Sequence, residues 1–510
     1  MATPLRYALI ALTWGAIALI YLPLLPAVAL MAIPAIDAEA WRALLNDPQL
    51  LQALAATLLS TLLAVGGALL ITLTVIAALW PASGWRRLAA RLPLLLAVPH
   101  VAFATAALLL FAEGGWLYRL FPALSPPIDR YGIGLGLTMA LKESAFLLWV
   151  AYGVLSEKRL AAQAIVLKTL GYNRWQCLNW VILPGLLPSM SIVLLATLAW
   201  SLSVVDVALV IGPGNPPTLA VLAWQWLNQG DAQQQTKGAL ASLLLLALTA
   251  AIAAAAWAAW RCWRRNIPSL DGLRRAHAGG KAGKTLALAL PACGLVCLLL
   301  LLGLSQMASP SREALYNSLW LASGSTVLGA ALCLLWLECG PARYNGLWLP
   351  LIIPALPLAD GQYQLALYGW LDGELTTVLW GHLLWVVPWM LFILRPAWGN
   401  LDPRLDLIAR TLGWRRGRRF WLVKLPSIAR PLLTALAVGF SVSIAQYLPT
   451  MWLGGGRTPT LTSEAVALSS GGDNAQLAAQ ALWQLLLPAL CFMVTATVAW
   501  YIGRRRRGLR

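Results

Sequence analysis

Two groupings of residues in this 510-residue chain have the types and spacing that chemistry requires. Residues 278–285 read A-G-G-K-A-G-K-T, a relaxed form of the glycine-rich loop that cradles nucleotide phosphates. Lys284 stands in the phosphate position and Thr285 in the magnesium position. Such a loop binds phosphate only where an apolar strand delivers it to the N-terminus of a buried helix, so that backbone N–H groups face the anion. The second grouping consists of ionisable and polar residues set in apolar surroundings: Lys142 with Glu143, Asp206, Asp360 with Gln362 and Gln364, Gln446 with Tyr447, and His100 after Pro99. No carboxylate or cysteine cluster points to a metal site, and no Ser/His/Asp arrangement stands out. The seven cysteines form no CxxC pair and read as small apolar residues in a reducing or lipid setting.

The elements that must carry these residues follow from composition. The chain is 60% hydrophobic and only 11% charged, with a mean hydropathy of +0.72. A soluble domain carries about 25% charged residues, and a bilayer-crossing helix needs about 20 mostly apolar ones. Such runs recur near 7–31, 52–80, 93–112, 134–155, 189–211 and 238–260, and again near 285–305, 314–337, 348–368, 376–394, 431–452 and 476–502. This pattern predicts an all-α polytopic membrane protein with about 12 transmembrane helices. Pro99, Pro354, Pro357 and Pro388 fall inside spans, where neighbouring helices satisfy freed backbone groups. The first apolar run, at about 25 residues, exceeds a signal-peptide core of about 7–15 and reads as an uncleaved span; the small residues of PAVALMAIPA leave cleavage open.

The glycine-rich run now has a context. RCWRRNIPSLDGLRRAH precedes it, which is a basic connector, and LALALPACGLVCLLLLLGL follows, which is span 7. The helix that a phosphate would cap lies in the bilayer, and no Asp follows on an apolar strand to hold magnesium. Residues 263–284 are therefore expected to be a solvated linker, and the phosphate motif a decoy.

An even number of spans puts both termini on one side. With the N-terminus inside, 30 of the 37 Lys and Arg fall in inner segments. Six (Arg42, Arg119, Arg130, Lys237, Arg312 and Arg457) fall outside and Lys142 within a span. This positive-inside bias accounts for the net charge of +18 without nucleic acid. Tryptophans at 80, 85, 116, 263 and 452 flank span ends, where interfacial rings are favoured.

The two sets of six spans are copies. KTLGYNRWQCLNWVILP at 168–184 aligns with RTLGWRRGRRFWLVKLP at 410–426, so that Thr169, Leu170, Gly171, Leu183 and Pro184 meet Thr411, Leu412, Gly413, Leu425 and Pro426, each 242 residues apart. The same offset carries Pro217-Thr218-Leu219 onto Pro459-Thr460-Leu461 and Gly230-Asp231 onto Gly472-Asp473. Six intervening spans make the duplication parallel. It divides the chain into a first half, 1–262, with a loop at 156–188, and a second half, 285–510, with a loop at 395–430. In each loop a short helix ends at a glycine suited to the left-handed conformation. A second helical stretch follows, and Leu-Pro then opens span 5 or 11. The product is a helix–turn–helix elbow, present twice with the same Gly-to-Pro spacing of 13 residues.

The elbow resembles the coupling segment, or EAA loop, of ABC-importer permeases. Gly171…Val181-Ile182-Leu183-Pro184 and Gly413…Val423-Lys424-Leu425-Pro426 match its second part at the family's spacing. The naming triplets depart from it, with Ile165-Val166-Leu167 and Leu407-Ile408-Ala409 in their place. SVSIAQYLPTMWLGGGRTPTLTSEAVAL at 441–468 is similar to the fifth-span region of permeases with two fused halves, among which are thiamine and ferric-iron importers. The resemblance implies a MetI-like fold of two parallel six-helix repeats in a bacterial inner membrane, with both termini cytoplasmic. It implies a permease that forms the solute path and performs no chemistry itself. Its partners would be two copies of a separate ATPase, which hold ATP and magnesium, and a periplasmic solute-binding protein. Thr169, Leu170, Gly171, Val181, Leu183 and Pro184, with Thr411, Leu412, Gly413, Val423, Leu425 and Pro426, would couple to the ATPases.

In such a permease the solute path is expected among Lys142, Glu143, Asp206, Asp360, Gln446 and Tyr447, because polar groups inside spans are costly and face a cavity or a partner. Mutual pairing of Lys142 with Glu143 is the plain alternative for those two. The loops GPGNPP and GGGRTP, after Asp206 and Tyr447, are expected at an outer gate. The second elbow's excess cations (Arg410, Arg415, Arg416, Arg418, Arg419 and Lys424) would meet anionic headgroups or acidic ATPase edges. A secondary transporter of the major-facilitator layout would instead place its basic loop between spans 2 and 3. SGWRRLAARL at 83–92 resembles that loop only faintly and lacks its acidic residue. A membrane enzyme would need a carboxylate or histidine cluster at the interface, which the loops at 113–133 and 212–237 do not offer.

Overall fold

A bilayer interior offers no water to backbone N–H and C=O groups, so a chain of this composition must satisfy them within helices. The computed structural model describes residues 4–505 except 113–114, 122, 124–128, 157, 268–279, 307, 342–345 and 472, and every described regular element is helical. Among the described residues, ten helices are long and apolar enough to cross a membrane. They are Tyr7–Ala35, Leu50–Leu79, His100–Leu120, Ile133–Leu155, Arg174–Ser203 and Ala232–Arg265, then Lys281–Leu304, Arg312–Cys339, Leu375–Gly399 and Asn474–Arg504. They form spans 1 to 8, 10 and 12. The eleventh span is a bent pair, Arg416–Ser427 and Ala429–Ile444, which meet at 77°. Span 9 is broken before Ala355, and its longer piece, Ala355–Tyr368, has 14 residues.

The duplication read from the loops extends to helix ends. Ile133–Leu155 and Leu375–Gly399 start 242 residues apart, as do Arg174–Cys177 and Arg416–Arg419, Leu219–Leu227 and Leu461–Ser469, and the helices opening at Ala232 and Asn474. The first span of each repeat packs against the other repeat. Span 1 lies along spans 8 and 9, and span 7 lies along spans 2, 3 and 12. Lipid supplies no hydrophobic force between helices, so close backbone approach must hold such contacts. A Cβ at Gly283 of span 7 would overlap the Thr74 carbonyl of span 2.

That contact bears on the glycine-rich run. Its first two residues, 278 and 279, lie outside the described residues, as does most of the linker, but Lys281–Leu304 is one helix and Thr285 donates its hydroxyl to the Ala282 carbonyl at 2.8 Å. Gly283, which a phosphate loop would need free, is a packing residue. At the other end of the linker, span 6 runs on to Arg265, with Arg261 over Trp257 at 4.2 Å and Trp260 stacked on Trp263 at 5.0 Å. Arg264 and Arg265 in the last turn suit the helix dipole. Helix therefore takes 263–265 and 281–284 out of the expected linker.

The Leu-Pro pairs do not open span 5 or 11 as the sequence predicts. Pro184 lies inside the unbroken helix Arg174–Ser203, just after a π turn over Leu178–Ile182, and Pro426 follows the equivalent turn over Phe420–Lys424. The Leu183 N–H reaches back five residues to Leu178, and Leu425 likewise to Phe420. A proline ring clashes with the carbonyl four residues earlier and offers it no N–H; the widened turn accommodates the ring without ending the helix.

Candidate coupling elbows and polar breaks in the spans

In the first elbow the helix Lys158–Thr169 ends at Gly171, whose φ is +89°. The Gly171 N–H bonds the Lys168 carbonyl and the Tyr172 N–H bonds Leu167, both at 3.0 Å. This is the paired closure that a left-handed glycine gives a helix end. Tyr172 and Leu167 bury themselves together with Cys177, fixing the turn. Asn173 then caps the next helix reciprocally with Gln176, at 2.8 and 3.0 Å. The second elbow repeats the design. Pro403–Thr411 ends at Gly413 (φ +73°), with Gly413 N–H on Arg410 at 2.9 Å and Trp414 N–H on Ala409 at 3.0 Å.

The residues expected to couple fall into two groups. Thr169, Leu170, Thr411 and Leu412 are exposed beside the two glycines; Val181, Leu183, Pro184, Val423, Leu425 and Pro426 are half-buried in the returning helices. Sequence reasoning missed what the altered triplets present. Ile165, Val166, Leu407 and Ile408 are each more than half exposed, while Leu167 and Ala409 are buried. The signal was available, since both triplets are apolar on a helix otherwise rich in polar residues. Each elbow therefore offers an apolar ridge at the same place.

The elbows differ in how they are tied to the spans. In the first, Lys168 donates to the Trp80 carbonyl at the end of span 2, at 3.1 Å. Burial lowers the Lys168 pKa from its ordinary value. In the second, Glu338 at the end of span 8 holds Arg416 at 2.6 Å and Lys424 at 2.7 Å, and its carbonyl also accepts from Arg416. Asp406 holds Arg410 and Arg419, both at 2.8 Å. Four of the six cations expected to face headgroups or partner edges are thus paired within the chain, because two carboxylates reach the elbow from span 8 and from its own first helix. Of the others, Arg418 lies over Trp414 at 4.6 Å.

Spans 3, 5, 9 and 11 are each interrupted. Span 3 breaks between Pro93–Leu96 and His100–Phe111, and span 9 between Leu349–Ile352 and Ala355–Tyr368, with Pro99 and Pro354 extended at the two breaks. Span 5 stops at Ser203 and resumes as Asp206–Ile211; span 11 stops at Ile444 and resumes as Leu448–Gly454. Polar side chains gather at these breaks. Lys142 and Glu143 do not pair with each other. The Lys142 Nζ donates to the carbonyls of Leu95 at 2.8 Å and Leu96 at 3.3 Å, which face the break. Pro99, four residues beyond Leu95, has no N–H to give it. Glu143 instead meets His100 Nε2 at 2.7 Å, and the His100 ring lies 4.3 Å from Trp200 of span 5.

Asp206 opens the far piece of span 5 and interacts electrostatically with His100 and, across the repeats, with Tyr447. The helix that Asp206 opens packs against the one that His100 opens, next to the Glu143–His100 pair. Gln446 donates to the His382 carbonyl at 3.1 Å. Asp360 is buried beside Gln364, and Gln362 donates to the Gly381 carbonyl at 3.0 Å. These three sit in regular helix, and the opened backbone of span 9 is confined to residues 353–354. The residue that sequence reasoning missed is His382. Fully buried in span 10, it contacts Ser443 Oγ at 2.8 Å before the break in span 11 and Thr450 Oγ1 at 3.0 Å after it. Its equivalent 242 residues earlier is Ala140, a contrast that marks it only once the repeat is aligned.

The sequence is similar to those of known proteins. Residues 285–506 match the family model described as the binding-protein-dependent transport system inner membrane component. The whole chain is 60% identical, over 511 residues and the full length of both proteins, to the Inner membrane ABC transporter permease protein YnjC of Escherichia coli (strain K12). This chain belongs to the ABC transporter permease family. It is the membrane-spanning permease subunit of an ABC importer, a multi-pass inner-membrane transport subunit rather than an enzyme. The matched segment is the second repeat, and from the fourth span on the first repeat carries corresponding helices at the offset of 242.

Proposed function

We propose that this permease is driven by two copies of a separate ATPase, one on each elbow, and that ATP and magnesium are held by those subunits. The observation that carries this reading is the paired geometry of the elbows. Gly171 and Gly413 end their helices in the same left-handed closure, each beside an exposed apolar ridge. Two copies of one partner require two copies of one docking shape. Both termini and both elbows then lie on the cytoplasmic side, in keeping with the Lys and Arg bias, and a periplasmic binding protein delivers solute to the opposite face.

The path follows the four interrupted spans, where backbone carbonyls and the side chains of Glu143, Asp206, Asp360, Gln446 and Tyr447 offer polar contacts in an otherwise apolar bundle. Lys142 supports the path from behind by holding the end of the broken helix. When the ATPases close on ATP the elbows approach one another, and the spans rock about their breaks.

The test is the mass of the complex purified in detergent with the candidate ATPase, for the parent chain and for Gly171→Glu and Gly413→Glu. Two ATPase subunits per chain, lost or weakened in either variant, are expected. A chain that purifies alone, with transport unaffected by both changes, would overturn the reading.

A further inference from the structure

The two elbows are joined to their spans by different mechanical routes. In the first repeat the elbow helix and span 5 are a single helix, Arg174–Ser203. Movement of that elbow is passed directly along one continuous helix. In the second repeat the helix is broken, since Arg416–Ser427 meets Ala429–Ile444 at 77°, between Pro426 and Pro431. A bend of that size turns the elbow helix out of line with the rest of span 11, so that its movement is not passed straight along that span.

What the second elbow has instead is Glu338. This side chain, at the end of the 28-residue helix Arg312–Cys339, is nearly buried and takes Arg416 and Lys424 at once, one at each end of the short elbow helix. The Glu338 backbone carbonyl accepts from Arg416 as well. The place matches that of Lys168 on the Trp80 carbonyl in the first repeat, but one hydrogen bond there is replaced by a carboxylate held by two cations. Multiple charge-assisted contacts fix geometry as well as proximity.

We infer that Glu338 is the positioning residue through which the second elbow moves span 8, so that the ATPase stroke reaches the first repeat through span 5 and the second through span 8. This rests on the elbows being the ATPase docking sites. Loss of the tie leaves elbow movement intact but disconnects it from span 8.

The experiment uses the full chain with its ATPase pair in lipid nanodiscs. It reads hydrogen–deuterium exchange with and without ATP plus vanadate, for the parent and for Glu338→Gln. The parent is expected to change protection on ATP trapping at both elbows, at the 312–320 end of span 8 and along span 5. In Glu338→Gln the change at span 8 is lost while those at the elbows and span 5 persist. Arg416→Gln with Lys424→Gln must give the same split, and the charge-exchanged Glu338→Lys, Arg416→Glu, Lys424→Glu must restore it. A span 8 response of parental size in Glu338→Gln, or in the Arg416/Lys424 pair if Glu338→Gln does not fold, overturns the inference. Failure of the parent to bind ATPase subunits would instead bring down the docking reading and this inference with it.

Discussion

Thr57 of span 2 and Ser318 of span 8 do the same work in the two repeats. Each hydroxyl accepts the N–H that opens the helix after the loop at the far end of the bundle, Leu219 for Thr57 at 2.8 Å and Leu461 for Ser318 at 2.9 Å. A helix start leaves its first N–H groups without intrahelical partners. Here a neighbouring span satisfies one of them, in both copies, with different residue types.

Thr57→Val and Ser318→Ala should each lower stability, by about 1–3 kcal/mol, the cost of stranding a buried N–H. Thermal unfolding in detergent would show both midpoints below the parent. The two sites serve different helices, so the double variant should show nearly the sum. A midpoint unchanged in both single variants would mean that water or another group replaces the hydroxyl.

The Thr57–Ser318 pair also marks the limit of what the sequence makes legible. The offset of 242 is visible because Thr-Leu-Gly, Leu-Pro and Pro-Thr-Leu recur in aqueous loops, and it places elbows, spans 4 to 6 and spans 10 to 12 correctly. Thr57 and Ser318 are 261 residues apart, and no loop motif anchors that second register. In apolar runs a shift of a few residues changes little in composition, so the spacing there had to come from contacts. Lys142 and Glu143 show a second limit. Adjacency suggested a mutual pair, but neighbouring residues on a helix point about 100° apart, and a broken neighbour gave each its own partner. The proline-tolerant π turns and the 77° bend depend on backbone geometry that Leu-Pro alone does not specify.

At the elbows, Gly171→Ala and Gly413→Ala should each cost about 1–2 kcal/mol, the penalty for placing a Cβ in the left-handed region. Asn tolerates that region better, so Gly171→Asn and Gly413→Asn should lie between the parent and the alanine variants. Chemical denaturation of the purified permease orders the series. Equal effects of Ala and Asn would indicate that steric room, not backbone sign, governs the position.

Lys142→Met removes the donor that serves the Leu95 and Leu96 carbonyls while keeping an unbranched apolar stem. The Leu95 carbonyl keeps the Val98 N–H at 3.3 Å, so the cost falls mainly on Leu96, and a loss of about 1–2 kcal/mol is expected. Arg415→Met, at an exposed elbow position, should stay within about 0.5 kcal/mol. Comparison of the two unfolding midpoints tests whether the buried lysine acts as a cap. A loss no larger than that of Arg415→Met would remove the assignment.

His382 holds the two pieces of span 11 together through Ser443 and Thr450, one before and one after the break. In His382→Leu the Thr450 hydroxyl keeps its bond to the Gln446 carbonyl at 3.0 Å, so the cost falls mainly on Ser443 and should be modest, about 1–2 kcal/mol. The sharper consequence is local. Without the bridge, the 445–447 segment keeps the Gln446 contact to residue 382 and the Ala445 and Gln446 amide bonds to the Ser441 and Ser443 carbonyls but loses its tie through Ser443 Oγ, and its amides should exchange faster while those of span 10 stay protected. His382→Asn, which keeps a polar group able to reach one of the two hydroxyls, should recover part of the protection. Uniform loss of protection along spans 10 and 11 would identify His382 as a packing residue of the bundle, and retained protection at 445–447 would mean that the break is held shut by its neighbours alone.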